Sequence, residues 1–126
     1  RSSDLVIHEK YAVCQLYLGE RSSAATNFSK AIEISFRNEK DILMQLAGIR
    51  IIANMFCALR DKGGLSKEDF KIHLRRVDKC LRGILQMPGL PESILSKAQR
   101  IESFMGEKEY KTFDFIGFKE FTKDIL

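Results

Sequence analysis

Few residues in this sequence have the types and spacing that could carry chemistry. Four cations, Lys71, Arg75, Lys79 and Arg82, recur every three or four positions. On an α-helix they fall within roughly 80° of arc, with only Asp78 interrupting the row. Such a strip can face an acidic peptide, a phosphate backbone or an anionic lipid, and an ordinary solvated helix face has the same pattern. His8 and His73 lie far apart, and neither sits in an arrangement that joins a nucleophile to a base and a carboxylate. Cys14, Cys57 and Cys80 form no Cys-x-x-Cys pair, and each falls inside an apolar helical pattern. They read as buried free thiols in a reducing compartment. There is no Gly-x-Ser-x-Gly, no phosphate-binding loop and no His-Glu-x-x-His. Gly63-Gly64 breaks a helix and lacks the rest of a phosphate cradle. Asn27-Phe28-Ser29 fits a glycosylation sequon but lies inside a helix around a core Phe. The expectation is therefore no catalytic residue, no metal and no cofactor.

The elements that must position the cationic strip are helices. The chain has 126 residues, 44% hydrophobic and 30% charged, as in one globular domain over 1–126. A formal net charge of +4 and a pI near 9.0 are only mildly basic. No uninterrupted apolar run reaches the ~18 residues of a membrane span. The polar start, Arg1 to Asp4, has no leader character, and the absence of an initiator Met suggests a piece of a longer, intracellular protein.

Helical spacing recurs along the whole chain. Helix one is expected over about Asp4–Leu18, with Leu5, Ile7, Tyr11, Cys14, Tyr17 and Leu18 buried and Gly19 ending it. Helix two runs from a cap at Ser22 or Ser23 to Phe36, burying Ala24/Ala25, Phe28, Ala31/Ile32 and Ser35/Phe36, with Asn38 as a left-handed stop. Helix three, about Glu39–Leu59, is the longest and most apolar; Ile42, Leu43, Leu46, Ile49, Ile52, Ala53 and Phe56 make its main stripe. Ile51 and Met55 widen that stripe; with Ile72 they are further apolar candidates for an interface, although the core is where they are expected.

Helix four has the clearest start. Ser66 is the cap, Glu68 and Asp69 meet the positive end of the helix dipole, and Leu65 and Phe70 are spaced as a hydrophobic staple. It stops at Met87-Pro88-Gly89. Helix five begins at Pro91 and ends at Gly106. Asp114 caps a last helix with Phe115, Phe118, Phe121 and Ile125 on one face, although Gly117 weakens it by about 1 kcal/mol. The fold expected is all-α: five or six helices in antiparallel hairpins, a helical bundle or α-solenoid.

Leu18-Gly19, followed by Ala24, Phe28 and Ala31, resembles the second half of a tetratricopeptide repeat. That family places Gly in the inter-helix turn, a small residue at the close crossing, an aromatic beside it and a second Ala one turn on. Gly19, Ala24, Phe28 and Ala31 match in identity and spacing. The first half departs: His8 and Tyr11-Ala12 occupy the places of an aromatic and a Leu-Gly pair, and Gln15 replaces the next aromatic. Thirty-four residues on, the matching positions hold Ala58, Lys62 and Leu65, so the pattern does not recur in phase. The resemblance implies a right-handed stack of helix pairs, without catalytic machinery, that binds peptides or partner helices in a concave groove.

These readings converge on a non-catalytic interaction or scaffold module. Its partner would be another protein or a neighbouring domain of the parent chain. The contact residues expected are Lys71, Arg75, Lys79 and Arg82. Phe115, Phe118 and Phe121 either cap the open end of the stack or form a hydrophobic interface. The alternative is an RNA- or DNA-binding helical domain using the same cationic strip. No exposed aromatics for base stacking are evident beside it.

Overall fold

Six helices account for the regular structure among the described residues: α1 (Ser2–Tyr17), α2 (Arg21–Phe36), α3 (Ile42–Asp61), α4 (Lys67–Gln86), α5 (Glu92–Phe104) and α6 (Phe115–Lys123). The computed structural model describes residues 2–105 and 109–123, with side chains from Asp4 onward. Gly106 as the stop of helix five, and Ile125 and Leu126 on the last helical face, lie outside the described residues.

α3 is the hub. α1, α2, α4 and α6 all pack against it, while α5 joins through α4 and α6. Its length and hydropathy would suffice to cross a membrane. Here Leu46, Ile49, Ile51, Ile52, Ala53, Met55 and Phe56 are all buried among its neighbours. Leu43, expected on the buried stripe, is exposed instead. α6 returns to α3 and closes a bundle of six helices over one core.

The turns follow local chemistry. Gly19 and Gly63 adopt φ of 81° and 75°, and each supports a pair of backbone bonds that closes the preceding helix. Glu20 N donates to Gln15 O and Gly19 N to Leu16 O; Gly64 N donates to Leu59 O and Gly63 N to Arg60 O. α2 starts at Arg21 with Glu20 at the cap and no side-chain cap bond, so neither Ser22 nor Ser23 is the cap. Asn38 does not take a left-handed conformation; its side chain accepts from Lys40 N and shapes the turn into α3. Asp41 caps α3 through Met44 N, and Ser66 caps α4 through Asp69 N at 3.1 Å. Leu65 and Phe70 are both buried, as a staple requires. Asp114 Oδ1 accepts from Gly117 N at 2.9 Å. A Cβ at Gly117 would collide with that carboxylate, which gives the helix-weakening glycine its reason.

α1 buries a different face from the one its apolar residues suggest. Leu5, Glu9, Ala12 and Leu16 point inward, at a spacing of four, three and four. Ile7, Tyr11, Cys14, Tyr17 and Leu18 are exposed. Ala12, Ala24, Phe28 and Ala31 are all fully buried, where small side chains let α1 and α2 pack closely. A second close crossing lies between α2 and α3. A Cβ on Gly48 would overlap Ser35 Oγ and the Phe36 ring, and the Ser35 hydroxyl donates to Met44 O.

The aromatic tail belongs to the core. Phe115 and Phe118 are buried, so they offer no hydrophobic interface. With Phe113 they surround Phe56 of α3 at ring-centroid distances of 5.8 to 6.5 Å. Phe121 is half-buried; it stacks on Phe104 at 5.6 Å and lies under the Arg100 guanidinium. Six rings from three helices and one loop can satisfy edge and face preferences only by interlocking, and this fixes how α6 seats on α3.

Candidate partner-binding groove

α4 carries the strongest amphipathic pattern in the chain, and its two faces have separate tasks. Phe70, Leu74, Val77, Leu81 and Ile84 are buried toward α3 and α5. Lys71, Arg75, Lys79 and Arg82 are all exposed, as a solvated strip would be. The structure then divides the strip. Arg75 and Lys79 line a groove of about 700 Å³, while Lys71 and Arg82 are not among its lining residues.

The opposite wall is the end of α2 and the turn after it, with Glu33, Phe36, Arg37 and Glu39. α2 and α4 both rest on α3 with their backbones apart, and the gap between them is the groove. Its volume lies within the range of ordinary ligand sites. Ile72 and Met87 supply apolar surface along the α4 side, over the buried Ile84. Ile72 is half exposed, at 51%. The Arg76 guanidinium covers the Phe36 ring at 5.6 Å, a cation–π contact that bridges the two walls.

The floor is rigid for a polar reason. Gln45, buried at the start of α3, donates from Nε2 to Asn38 O at 3.1 Å and to Glu39 O at 2.6 Å. Its Oε1 accepts from the Cys80 thiol at 3.1 Å. One amide thus ties the α2–α3 turn, α3 and α4 together. Burial pushes the Cys80 thiol up to about 12, so it stays protonated and keeps the proton that it donates to Gln45. His73, one turn from Arg76, is held below its ordinary 6.5 by burial and then by the Arg76 charge, with Asp69 opposing. Its Nδ1 has no hydrogen-bond partner.

Four cations (Arg37, Arg75, Arg76, Lys79) and two carboxylates (Glu33, Glu39) border this space. The carboxylates all come from the α2 side and the cations mostly from α4. Sequence reasoning found Arg75 and Lys79 and named Ile72 as an apolar interface candidate expected in the core, but passed over Arg76 and Gln45. The signal for Arg76 was present. Ile72, Arg76, Lys79, Gly83 and Met87 follow one helical face, and Ile72 is the apolar exception among α4's exposed residues. Gln45 had no signal, because its partners are backbone carbonyls six and seven residues away.

A second cleft, of about 710 Å³, lies between α1, α3 and α6. Glu9 occupies its wall, 8% exposed, accepting from Asn54 Nδ2 at 3.0 Å and pairing with Arg50 at 3.4 Å. Its central cation and amide are therefore already engaged from within. The α2–α4 groove keeps Arg75 and Lys79 exposed at its rim. Among the described residues, no three His, Cys, Asp or Glu side chains are grouped to hold a metal ion. Comparison with protein-family models, with curated proteins and with solved structures returns no match.

Proposed function

We propose that this chain is a non-catalytic helical interaction module, and that the α2–α4 groove takes an acidic, amphipathic helix from another protein or from a neighbouring domain of its parent chain. The observation that carries this reading is the pairing of apolar surface (Ile72, Met87 and the partly exposed Phe36) with a cationic α4 rim in one open groove. A helix with apolar residues at i, i+3 or i+4 and i+7 would set those side chains on the apolar surface. Acidic residues along one edge would meet Arg75 and Lys79. The resemblance of Gly19, Ala24, Phe28 and Ala31 to a tetratricopeptide half-repeat supports the same class of function.

A nucleic-acid reading draws on a different observation: Lys71 and Arg82 extend the cation row beyond the groove, and all four residues are exposed. One feature favours the peptide: Glu33 and Glu39 on the facing wall would repel a phosphate backbone.

The test is fluorescence anisotropy with a labelled helical peptide of about fifteen residues, Leu and Phe on one face and Glu on an edge. Saturable binding is expected. The Arg75→Glu, Lys79→Glu double variant should weaken it at least tenfold, since reversing rim charges costs on the order of 1–2 kcal/mol. Replacing the peptide's Leu and Phe by Ser should abolish it. If generic single-stranded RNA binds instead, with a steep salt slope that flattens in an Arg75→Glu, Arg82→Glu variant, the nucleic-acid reading replaces this one. Binding that both variants leave unchanged removes the groove from either account.

A further inference from the structure

The exposed apolar residues concentrate on α1. Ile7, Tyr11 and Leu18 are 50%, 60% and 75% exposed, and Cys14 between them is exposed as well. At 100° per residue these four fall within roughly 60° of arc. That arc lies opposite the buried Leu5, Ala12 and Leu16. Val6 and Tyr17, 42% and 77% exposed, flank the stripe on one side. α1 is thus apolar on two faces, and α2 and α3 cover only one of them.

We infer that this face is the self-association surface of the protein, where α1 packs antiparallel on α1 of a second copy about a two-fold axis. The spacing supports a self-complementary register. With the axis passing between Ala12 and Val13, Ile7 meets the partner's Leu18 and Tyr11 meets the partner's Cys14. Lys10 then falls opposite Gln15, so that pair sets no like charges against each other along the seam. An isologous contact requires this kind of pairing. The area is sufficient. At 150–250 Å² for a whole tyrosine, the stripe together with its flanks Val6 and Tyr17 presents roughly 600 Å² per copy. Two copies would remove on the order of 1,200 Å² from water, the lower bound for a stable interface. It is also at the upper limit of the largest apolar patch that a typical monomer leaves open, roughly 300–600 Å².

The surface is distinct from the α2–α4 groove, which lies against the other flank of α3, so the two can be tested separately. The experiment is sedimentation velocity on the intact chain at micromolar concentration, with mixed-cysteine crosslinking to fix the register. The wild-type chain should run as a dimer. Ile7→Glu and Leu18→Glu should each run as a folded monomer by circular dichroism, because both positions are solvent-facing. In a Cys14→Ser background, Ile7→Cys mixed with Leu18→Cys should form an intermolecular disulfide. Ile7→Cys alone should not, because antiparallel pairing separates its two copies by about 16 Å along the helix axis. A wild-type monomer at 100 µM overturns the inference and leaves the face to a different partner. So does a dimer that Ile7→Glu and Leu18→Glu both leave intact. Efficient crosslinking of Ile7→Cys to itself replaces the antiparallel register by a parallel one.

Discussion

Gly48 and Gly83 both stand inside twenty-residue helices, and the same substitution at the two should have different signs. In either helix, Gly→Ala gains about 0.5–1 kcal/mol by limiting the unfolded backbone and improving helix propensity. At Gly83 nothing lies within 4 Å of the new Cβ, so Gly83→Ala should stabilise by that amount. At Gly48 the Cβ would meet Phe36 ring carbons at 2.6 and 2.9 Å, and Ser35 Oγ is closer still. Neither neighbour yields freely. Ser35 is fully buried and bonded to Met44 O, and the Phe36 ring is held by Arg76. Forcing α2 and α3 apart costs about 1–3 kcal/mol, as overpacking in a well-filled core does. The propensity gain is common to both variants, so the gap between them isolates the crossing and should itself be about 1–3 kcal/mol. At roughly 4 °C per kcal/mol for a domain of this size, thermal midpoints should differ by several degrees. Urea unfolding followed by circular dichroism measures the gap directly, with slopes unchanged if both states keep their compactness. If Gly48→Ala is as stable as Gly83→Ala, the close approach of α2 to α3 is wrong, and with it the width of the groove that α2 borders.

Other outcomes follow from burial and charge. His73 has its folded pKa depressed by burial and by Arg76, so the unfolded chain takes the proton first as pH falls. Stability should therefore decline from about pH 6.5 downward, and His73→Phe should flatten that decline in urea midpoints measured from pH 7 to 5; an unchanged slope would rule out this histidine as its source. Among the thiols, Cys14 is exposed while Cys57 and Cys80 are buried with raised pKa values. In the monomeric Ile7→Glu variant, one equivalent should react promptly with a disulfide reagent at pH 8, and three after denaturation. Two or three prompt equivalents would contradict the burial of α3 and α4 against their neighbours.

How much of this was legible beforehand depended on which force decided each element. α4 was readable in full: its cap, its staple, its stop at Pro88 and its two faces are all local or periodic features. α3 was readable as the hub because its apolar surface exceeds one stripe, although its contact at Gly48 was not. The glycine is explained only by Ser35 and Phe36, which arrive from another helix. α1 was misread for a physical reason. Its inward face is built from small and polar residues, Ala12 and a Glu9 satisfied by Asn54 and Arg50, while its larger apolar side chains face outward. Hydrophobicity alone therefore selects the wrong side. The tail's aromatics pointed to a cap first and a surface second; ring-to-ring packing on Phe56, Phe70 and Phe104 buries them in the core. At the groove, sequence supplied half of one wall. The other wall and the floor depend on Gln45, whose bonds fix the turn from α2 to α3 and cannot be seen in a periodicity.

The central claim is that the α2–α4 groove is the binding surface. The most direct measurement is a titration of the isotopically labelled chain with the acidic amphipathic peptide, followed by backbone amide shifts. The account predicts that the largest changes fall on Phe36, Arg37, Gln45, Ile72, Arg76 and Gly83, saturate together, and vanish in the Arg75→Glu, Lys79→Glu variant. Shifts centred on Lys10, Asn54 and Lys119 in the α1–α3–α6 cleft, or no shifts at millimolar peptide, would contradict it.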